Sequence, residues 1–554
     1  MTDTPLELIA RLERMKNLRS TLENHWEDLR QHYHPQGTPI TGSQTPGQKS
    51  HANVLDPTGI ITLRNLVAAF VGLTTNSATR WFSQTTADRE PTDEEALWLE
   101  FVRDQMLSVF ASPRSGFTLN RLKKMREKCL YGTGCMFIAD RPGEIPLFST
   151  RPMKEMYIDE NFEGKIDTNF RFFKMSARQA VQQWGNDAGE KVVKCALDPK
   201  KSDEEFEFLH ATYPRKDRDQ YKKNGANKPV ASCWVNVSEK KLIREDGYDE
   251  SPYITSRWDN EAGEKYGRSP AMETLPAVKM LQRVAKATIQ GAEKTVNPPL
   301  LIADDGVLSP VLLTSGGLNT VRADLMSGQG QGPIRPLISG ARPDIGKEFA
   351  AGIQQQVREG MLEQLFVYAR DPRMTATQVV EIRGQVQSQV EPLLGYEQTE
   401  DLGPTIDRTF GIMFRSGMLF DFDRWPEAGW PVSLSGRELK VEYQSPIFKA
   451  RNIDEVRAMV QSIESWAFIL KEDQSLLDNV DLDDGFRRTW TILGAPRTSL
   501  RPIDQRDAMR KAKQDEAAKQ VQMQQMEQGA NAAGQIMRSM PAMKEAMQPA
   551  EAAQ

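Results

Sequence analysis

Cysteine is scarce in this 554-residue chain, and long apolar runs are missing. The four cysteines are too scattered for a disulfide framework or a CxxC metal site, so we expect them to be reduced and structural. They are Cys129, Cys135, Cys195 and Cys233. The longest apolar run, NLVAAFVGL from Asn65 to Leu73, is half of the roughly 18 residues that a membrane span needs. The composition, 39% apolar and 27% charged, is typical of a soluble protein with about three or four subdomains.

An excess of basic residues is also missing, since 71 Lys and Arg face 76 Asp and Glu, for a net charge of −5. A surface that clamps nucleic acid usually carries dense positive charge. This argues against a tight DNA binder, but a conduit through which a duplex slides is compatible with a neutral or acidic lining. The N-terminal stretch MTDTPLELIARLERMKN mixes charges with leucine and does not fit the plan of a signal peptide, so a cytosolic origin is expected.

Phosphate-binding and nucleophile motifs are absent from the sequence. The nearest approach to a Walker A loop is GARPDIGKE, from Gly340 to Glu348, which has five residues between its glycines. The motif requires four, and Glu348 stands where magnesium needs a hydroxyl. No GxSxG elbow occurs. The stretch LYGTG, from Leu130 to Gly134, lacks the third glycine of a dinucleotide loop, and a helix-to-strand turn explains it better. We therefore expect a protein that is not an enzyme and binds no cofactor.

Two short stretches resemble metal sites without completing one. His32 and His34 follow His25 by one or two helical turns, but no cysteine or acid completes a familiar ligand spacing. DLDDG, residues 481–485, begins like a calcium loop, yet Ile492 occupies the twelfth position, where Glu is required. A solvated helix end and a turn or helix cap account for these stretches, so no metal is expected.

Helical patterns dominate the start of the chain. One amphipathic helix is predicted up to Pro35, and its stripe comprises Leu12, Met15, Leu18, Leu22, Trp26, Leu29 and Tyr33. Residues 37–53 are rich in Gly, Ser, Thr and Pro and predict a loop. Further helices are predicted at about residues 57–75, 92–110 and 117–130, the first with Asp56 as its cap and Pro57 at its first position.

After Tyr131 the sequence changes to short apolar runs separated by Pro, Gly and Asp. Each run predicts an antiparallel strand. The runs are PLFSTRP, EMYIDE, NFRFFKM, FEFLHATYP, VASCWVNV and PYITSRWD. One helical pattern interrupts them at about residues 176–184. The first half of the chain is therefore predicted to be a mixed α+β domain.

Two long helical stripes flank a compact insertion in the middle of the chain. The first comprises Leu275, Val278, Leu281, Ala285, Ile289, Ala292 and Val296, and the second Ile345, Phe349, Ile353, Val357, Met361 and Leu365. The first stops at Asn297, Pro298 and Pro299. The insertion holds short strand-like runs and a Gly-rich stretch. The second helix is followed by a short break at residues 370–373 and then by another helical region, with a predicted kink at Pro392 or Pro404.

A set of motifs in a fixed order resembles the portal, or head-to-tail connector, proteins of short-tailed, T7-like bacteriophages. The motifs are DPTG to ATRWF (56–82), LYGTG (130–134), YGRSPAMETLPAVKMLQ (266–282), KTVNPPLL (294–301), MTATQV (374–379), LGP (402–404) and YQSPIFKA (443–450). Two features depart from the family pattern: Gln378 replaces the acid of TATEV, and QVEPLLGYEQTED (389–401) lengthens the region before LGP.

The resemblance implies an α+β, mainly α, portal fold that forms a ring of about twelve subunits around a central channel. In this scheme residues 1–268 form the wing, 269–297 and 345–368 the two stem helices, and 298–344 the clip. Residues 369–377 form the tunnel loop. Residues 378–480 return to the wing, and 481–554 form the crown with a C-terminal tail.

The resemblance also assigns candidate site residues. The tunnel loop would carry Arg370, Asp371, Pro372, Arg373 and Met374, and the clip would carry Ile302, Asp304, Asp305, Gln329 and Arg335. Rings of Arg370 and Arg373 would lie near DNA phosphates, while Asp371 limits the attraction. The alternative is that Pro372 only ends a helix and that the arginines pair with nearby acids.

The function implied by the resemblance is a channel for DNA packaging and ejection at one capsid vertex. Expected partners are further copies of the chain, the terminase large subunit, tail adaptor or tube proteins, the major capsid and scaffolding proteins, and double-stranded DNA in the channel. The protein would be made in the host cytoplasm and reside in the virion, without membrane contact. A tail adaptor ring that never meets the motor and a packaging enzyme are the alternatives; the helix-cap-helix order argues against the former and the missing Walker A loop against the latter.

Overall fold

A computed structural model describes most of the chain. The described residues are 4–43, 45, 47–48, 54–76, 79–89, 91–219, 221–222, 224–296, 300–302, 334–336, 343–363, 392–443, 456–462, 464–465, 481–492, 499–501 and 503–545. They form two compact units. The first comprises the chain up to residue 81 together with residues 104–420, and the second comprises residues 82–103, 421–444 and 449–554.

The helices of the first unit follow the predicted pattern closely. They are α1 (Pro5–Tyr33), α2 (Thr58–Thr74), α4 (Phe117–Tyr131), α5 (Ala177–Trp184), α6 (Glu190–Leu197), α7 (Pro270–Val296) and α8 (Pro343–Gly360), followed by the helix Gly403–Arg415. The helix α3 (Asp93–Ala111) has residues in both units. Thr4 and Glu7 form a capping box at the start of α1. The start of α2 lies one residue later than predicted: Pro57 is the N-cap residue and Thr58 the first helical residue, while the Asp56 carboxylate accepts from the Thr58 amide at 2.8 Å. The helix α6 has no counterpart in the prediction.

The two larger sheets of the first unit are both antiparallel. One has the order β4 (Met156–Glu160), β5 (Ile166–Ser176), β6 (Glu205–Pro214), β7 (Val230–Asn236) and β8 (Lys241–Tyr248), and the other the order β3 (Leu147–Arg151), β2 (Thr133–Ala139) and β9 (Tyr253–Arg257). All six predicted strand runs form strands. The strand β8, with its charged sequence KLIREDGY, shows no apolar alternation and was not predicted.

The main core of this unit forms where α1, α2, α4, α7 and α8 meet the smaller sheet. Trp26, Leu66, Met125, Leu281 and Val357 are all buried in it. The mixed α+β, mainly helical class expected from the sequence is therefore confirmed for the described chain.

The predicted stripe of α1 needs one correction. Leu18 is 69% exposed, whereas its neighbour Arg19 is buried. The Arg19 guanidinium donates to the carbonyl oxygens of Met153 and Met156 at 2.9 and 2.5 Å and lies over the Tyr157 ring. These acceptors come from a tight turn more than 130 residues away, so the helical pattern alone could not identify them.

The second unit contains the two-stranded pair β1 (Phe82–Thr86) and β12 (Leu439–Tyr443). Glu95, at the start of α3, is buried and accepts hydrogen bonds from Arg89 and Ser433, both at 2.6 Å. Asp481 caps the helix Leu482–Ile492 by accepting from the amides of Asp483 and Asp484, so the DLDDG stretch is the helix cap that was expected. A helix of 43 residues, Ile503–Glu545, follows and continues through Pro541.

Candidate functional site: the helix pair and its anchors

The two helices predicted as the stem, α7 and α8, pack against each other in antiparallel directions. Thr288 of α7 lies against Gly346 of α8, and Thr274 lies against Gly360. A Cβ atom added at either glycine would lie 2.3 Å from its threonine, so both glycines permit a close approach of the helices. At about 1.5 Å per residue, α7 is roughly 40 Å long.

The bounds of α8 differ from the prediction. The helix starts at Pro343, two residues before the predicted Ile345, and ends at Gly360, eight residues before the predicted Tyr368. The chain turns at Met361 and Leu362, and Leu362 has φ 55°, in the left-handed region that breaks a right-handed helix. Residues 364–368 lie outside the described chain.

The base of α7 is fixed by two motifs that are far apart in sequence. Gly132 of LYGTG ends α4 with φ 78°, and its carbonyl accepts from the Trp258 amide at 2.8 Å. A Cβ on Gly132 would lie 2.0 Å from the carbonyl oxygen of Gly267, which belongs to YGRSP. Ser269 donates to the Leu130 carbonyl at 2.9 Å. The two motifs thus form one junction at the start of α7.

Asp56, the first residue of the DPTG motif, ties both helices of the pair to α2. Gln282 of α7 donates to the Asp56 carbonyl at 2.8 Å and accepts from the amides of Leu55 and Asp56. Gln354 of α8 donates to the Asp56 carboxylate at 2.7 Å. Both glutamines lie beside the apolar stripes of their helices, and the spacing of apolar residues predicts nothing about such polar neighbours.

Among the residues that the structure describes, the rest of the chain covers only the half of the helix pair near its base. Near the base, Leu275 and Val278 of α7 and Val357 of α8 are at most 5% exposed. Farther out, Ile289 is 46% and Phe349 56% exposed, although both belong to the predicted apolar stripes. The stripes therefore extend beyond the intramolecular core.

A buried charge cluster holds a chain segment that comes after the predicted tunnel loop and within residues 378–480, which were predicted to return to the wing. Residues Glu397–Leu402 form a π-helical turn, a rare conformation that often marks functional segments. Two of its three acids face three cations on one side of α4, and these five side chains are at most 2% exposed. The five residues, here named the buried cage, are Arg121, Lys124, Lys128, Glu397 and Asp401.

Each acid of the buried cage bridges two cations. Asp401 accepts from Arg121 and Lys124, both at 2.7 Å, and from the Ser256 hydroxyl at 2.9 Å. Glu397 accepts from Lys128 at 2.6 Å and from Arg121. Outside the cage, Glu400 pairs with the buried Arg257 of β9. The π-helical turn is thereby joined to both α4 and the smaller sheet.

The cage charges depend on one another. Burial by itself would raise the pKa of Asp401, but Arg121, Lys124 and Lys128 outweigh it and hold this pKa well below its usual range. Burial lowers the pKa of Lys128 to about 7, and the neighbouring Lys124 and Arg121 act in the same direction while Asp401 opposes them. The acids of the cage therefore favour the charged form of these lysines, against the cost of burying a cation.

The acids of the cage lie in QVEPLLGYEQTED, the segment by which this chain departs from the family pattern. The sequence drew attention to the segment only as an added length before LGP. No sequence signal identified Lys124 or Lys128 as its partners, because charged residues at helical spacing are usually solvated.

Few of the predicted loop and clip residues fall in the described chain. Ile302 and Arg335 lie in the short strands β10 (Leu300–Ile302) and β11 (Ile334–Pro336), which pair antiparallel. Asp304, Asp305 and Gln329 lie outside the described residues. The predicted tunnel-loop residues, Arg370, Asp371, Pro372, Arg373 and Met374, also lie outside them.

The histidines His32 and His34, considered above as metal ligands, are in ordinary protein surroundings. His32 Nδ1 donates to the Asp28 carbonyl at 2.8 Å. Burial lowers the pKa of His34 to about 4, with help from Arg126 and Arg30. Within the described ranges, no group of three or more His, Cys, Asp or Glu side chains could hold a metal ion. Nor does any helix there combine the length and apolar character needed to cross a membrane.

Comparison with known proteins identifies the family. Residues 6–500 match the family model described as bacteriophage head to tail connecting protein. The portal protein of Salmonella phage epsilon15 is 28% identical over 98% of this chain and 97% of its own length. The probable portal protein of Bordetella phage BPP-1 is 26% identical over 96% and 94%, respectively.

Solved structures give a much weaker match. The neck of an empty GTA particle aligns at 11% identity with a TM-score of 0.35, over 82% of this chain and 96% of the matched one. A likeness at that level carries no weight here.

The chain is thus a connector of the phage head, and it belongs to the bacteriophage head to tail connecting protein family. The portal function expected from the motif order is confirmed, and with it a place in the virion. The family is structural by its description, not enzymatic.

Proposed function

We propose that this chain assembles into a closed ring of about twelve copies at one capsid vertex and that DNA enters and leaves through the centre of the ring. The observation that carries the proposal is the antiparallel pair α7 and α8 around the insertion 297–342, within a chain whose family match covers residues 6–500. A helix pair capped by an insertion suits a stem with a clip at its end.

In this arrangement residues 1–268 and 378–480 form the wing, which meets the capsid and scaffolding proteins. The clip, which is the insertion 297–342 between α7 and α8, docks the ATP-hydrolysing terminase during filling and tail proteins afterwards. Residues 481–554 form the crown. The chain is made in the host cytoplasm. The relatives described as portal proteins favour this role over that of a tail adaptor ring.

Negative-stain imaging and mass determination of the purified full chain test the ring. Annular particles with an open centre and about twelve subunits are expected. A chain that remains monomeric at high concentration, or that forms filaments, would remove the proposal.

The tunnel loop, residues 369–377, is proposed to impede backward sliding of DNA, with Arg370 and Arg373 near the phosphates. Replacing both arginines with alanine should leave ring assembly intact and lower the yield of filled heads, because the positive rings are lost while the stem is not altered. Filled-head yield in a packaging assay measures the effect, and Arg244→Ala, in an exposed pair with Asp246, is the matched control. An unchanged yield would refute the gating role.

A further inference from the structure

The uncovered half of the helix pair has two flanks with different chemistry. One carries an open groove of about 420 Å³ lined by Met280, Ile345, Glu348, Phe349, Gly352, Ile353 and Gln356. Met280, Ile345 and Phe349 are 41%, 53% and 56% exposed, while Ile353 forms the buried floor. An apolar groove of this kind on a helix surface is typical of a contact with another protein chain.

The opposite flank follows from helix geometry. Successive residues of an α-helix are rotated by about 100°, so residues nine positions apart point in opposite directions. Ile289 is nine residues from Met280, and Arg358 is nine residues from Phe349. Because Met280 and Phe349 line the same groove, Ile289 and Arg358 share the flank on the other side of the pair. Lys347, eleven residues before Arg358, lies on nearly the same stripe.

The two flanks match in apolar character, in charge and in their position along the helix pair. The groove combines exposed apolar side chains with the acid Glu348. The opposite flank combines Ile289, 46% exposed, with the exposed base Lys347. Thr288 lies against Gly346, so Ile289 is level with Ile345 along the pair. A second copy rotated beside the first would bring these residues together.

From these observations we infer that the groove on one copy receives Ile289 of the next copy, with Glu348 facing the neighbour's Lys347. The contact is heterologous, since each copy offers a different flank to each neighbour, and repeated contacts of this type form a ring when the rotation between copies closes. This inference rests on the proposed function and adds the surface and register through which neighbouring copies meet. It also explains why both apolar stripes continue past the intramolecular core.

Disulfide trapping tests the register. In a Cys195→Ala background, which leaves only the buried Cys129, Cys135 and Cys233, the pair Ile289→Cys and Ile345→Cys is introduced into the full chain. After mild oxidation, a non-reducing gel should show a ladder of covalent oligomers that ends at the ring size, because the two cysteines meet only between copies.

The matched control places both cysteines on one flank, with Met280→Cys and Ile345→Cys. This variant should give no ladder, and neither should either single cysteine. Rings that form normally but give only a monomer band with the Ile289 and Ile345 pair would overturn the inference and leave the proposed function standing. A wild-type chain that forms no ring would overturn both.

Charge reversal gives a second readout. Glu348→Lys places like charges at the contact and should lower the ring fraction at fixed concentration by about tenfold or more. Adding Lys347→Glu to the same chain restores the pairing between copies and should recover the ring fraction. If the double variant is no better than the single one, the assigned charge contact is wrong.

Discussion

Replacing Asp401 with alanine should lower the free energy of unfolding of the first unit by about 3–5 kcal/mol, because a buried charge that loses its partner is strongly destabilising. Arg121 and Lys124 would lose a shared acceptor, and three cations would remain beside the single acid Glu397. Water cannot replace the acid freely, since the cage side chains are at most 2% exposed.

The stability lost in Asp401→Ala should decrease as the pH falls. The folded-state pKa of Asp401 is held below its usual value, so its contribution is present above the unfolded pKa of about 3.9 and is lost as pH falls through the folded pKa. The difference between wild type and Asp401→Ala should therefore be full at pH 5–6 and shrink below about pH 4. Urea denaturation followed by circular dichroism measures it at each pH.

The matched control is Glu163→Gln, which breaks an exposed ion pair with Lys165 and should change stability by less than about 0.5 kcal/mol. A double-mutant cycle with Lys124→Ala should be strongly non-additive, because the second substitution removes a cation that the first left unpaired. Equal small effects for Asp401 and Glu163 would mean that the cage is hydrated and does not hold the π-helical turn.

The sequence predicted the elements whose signals are local. Apolar residues at helical spacing located α7 and α8, and short apolar runs located β3 to β7 and β9, whereas no run predicted β2. The motif order was informative for a physical reason that the structure reveals: LYGTG and YGRSP form one junction, and DPTG is bonded to both helices of the pair. Short motifs that meet in space constrain one another even when their sequence separation is large.

The sequence could not predict what depends on distant partners. The KKMREK stretch of α4 has the composition of a solvated surface, yet Lys124 and Lys128 are buried because acids some 270 residues later reach them. Leu18 and Arg19 exchange their expected environments for a similar reason. The apolar stripes of α7 and α8 also did not indicate which of their side chains are buried within the chain. An apolar side chain at a contact between copies has the same sequence pattern as one in the core.

Replacing Gly132 with alanine should destabilise the first unit by more than about 3 kcal/mol, because two separate costs add. At φ 78° a non-glycine residue pays about 1–2 kcal/mol for the left-handed conformation. Its Cβ would also lie 2.0 Å from the Gly267 carbonyl oxygen, and a backbone atom cannot move aside as a flexible side chain can. Thermal unfolding measures the loss, and ring assembly should fall with it because the junction positions the start of α7.

Two controls separate these costs. Gly143 has nearly the same φ, 77°, but nothing within 4 Å of an added Cβ, so Gly143→Ala should cost only about 1–2 kcal/mol. At Gly267 an added Cβ would lie 2.3 Å from the Gly132 carbonyl oxygen, and Gly267 is not among the glycines with positive φ, so Gly267→Ala isolates the steric cost. If Gly132→Ala matched Gly143→Ala and Gly267→Ala were neutral, the two motifs would not be in contact at the base of α7. A large loss at both Gly132 and Gly267 would instead mean that this close backbone contact sets the position from which the helix pair extends.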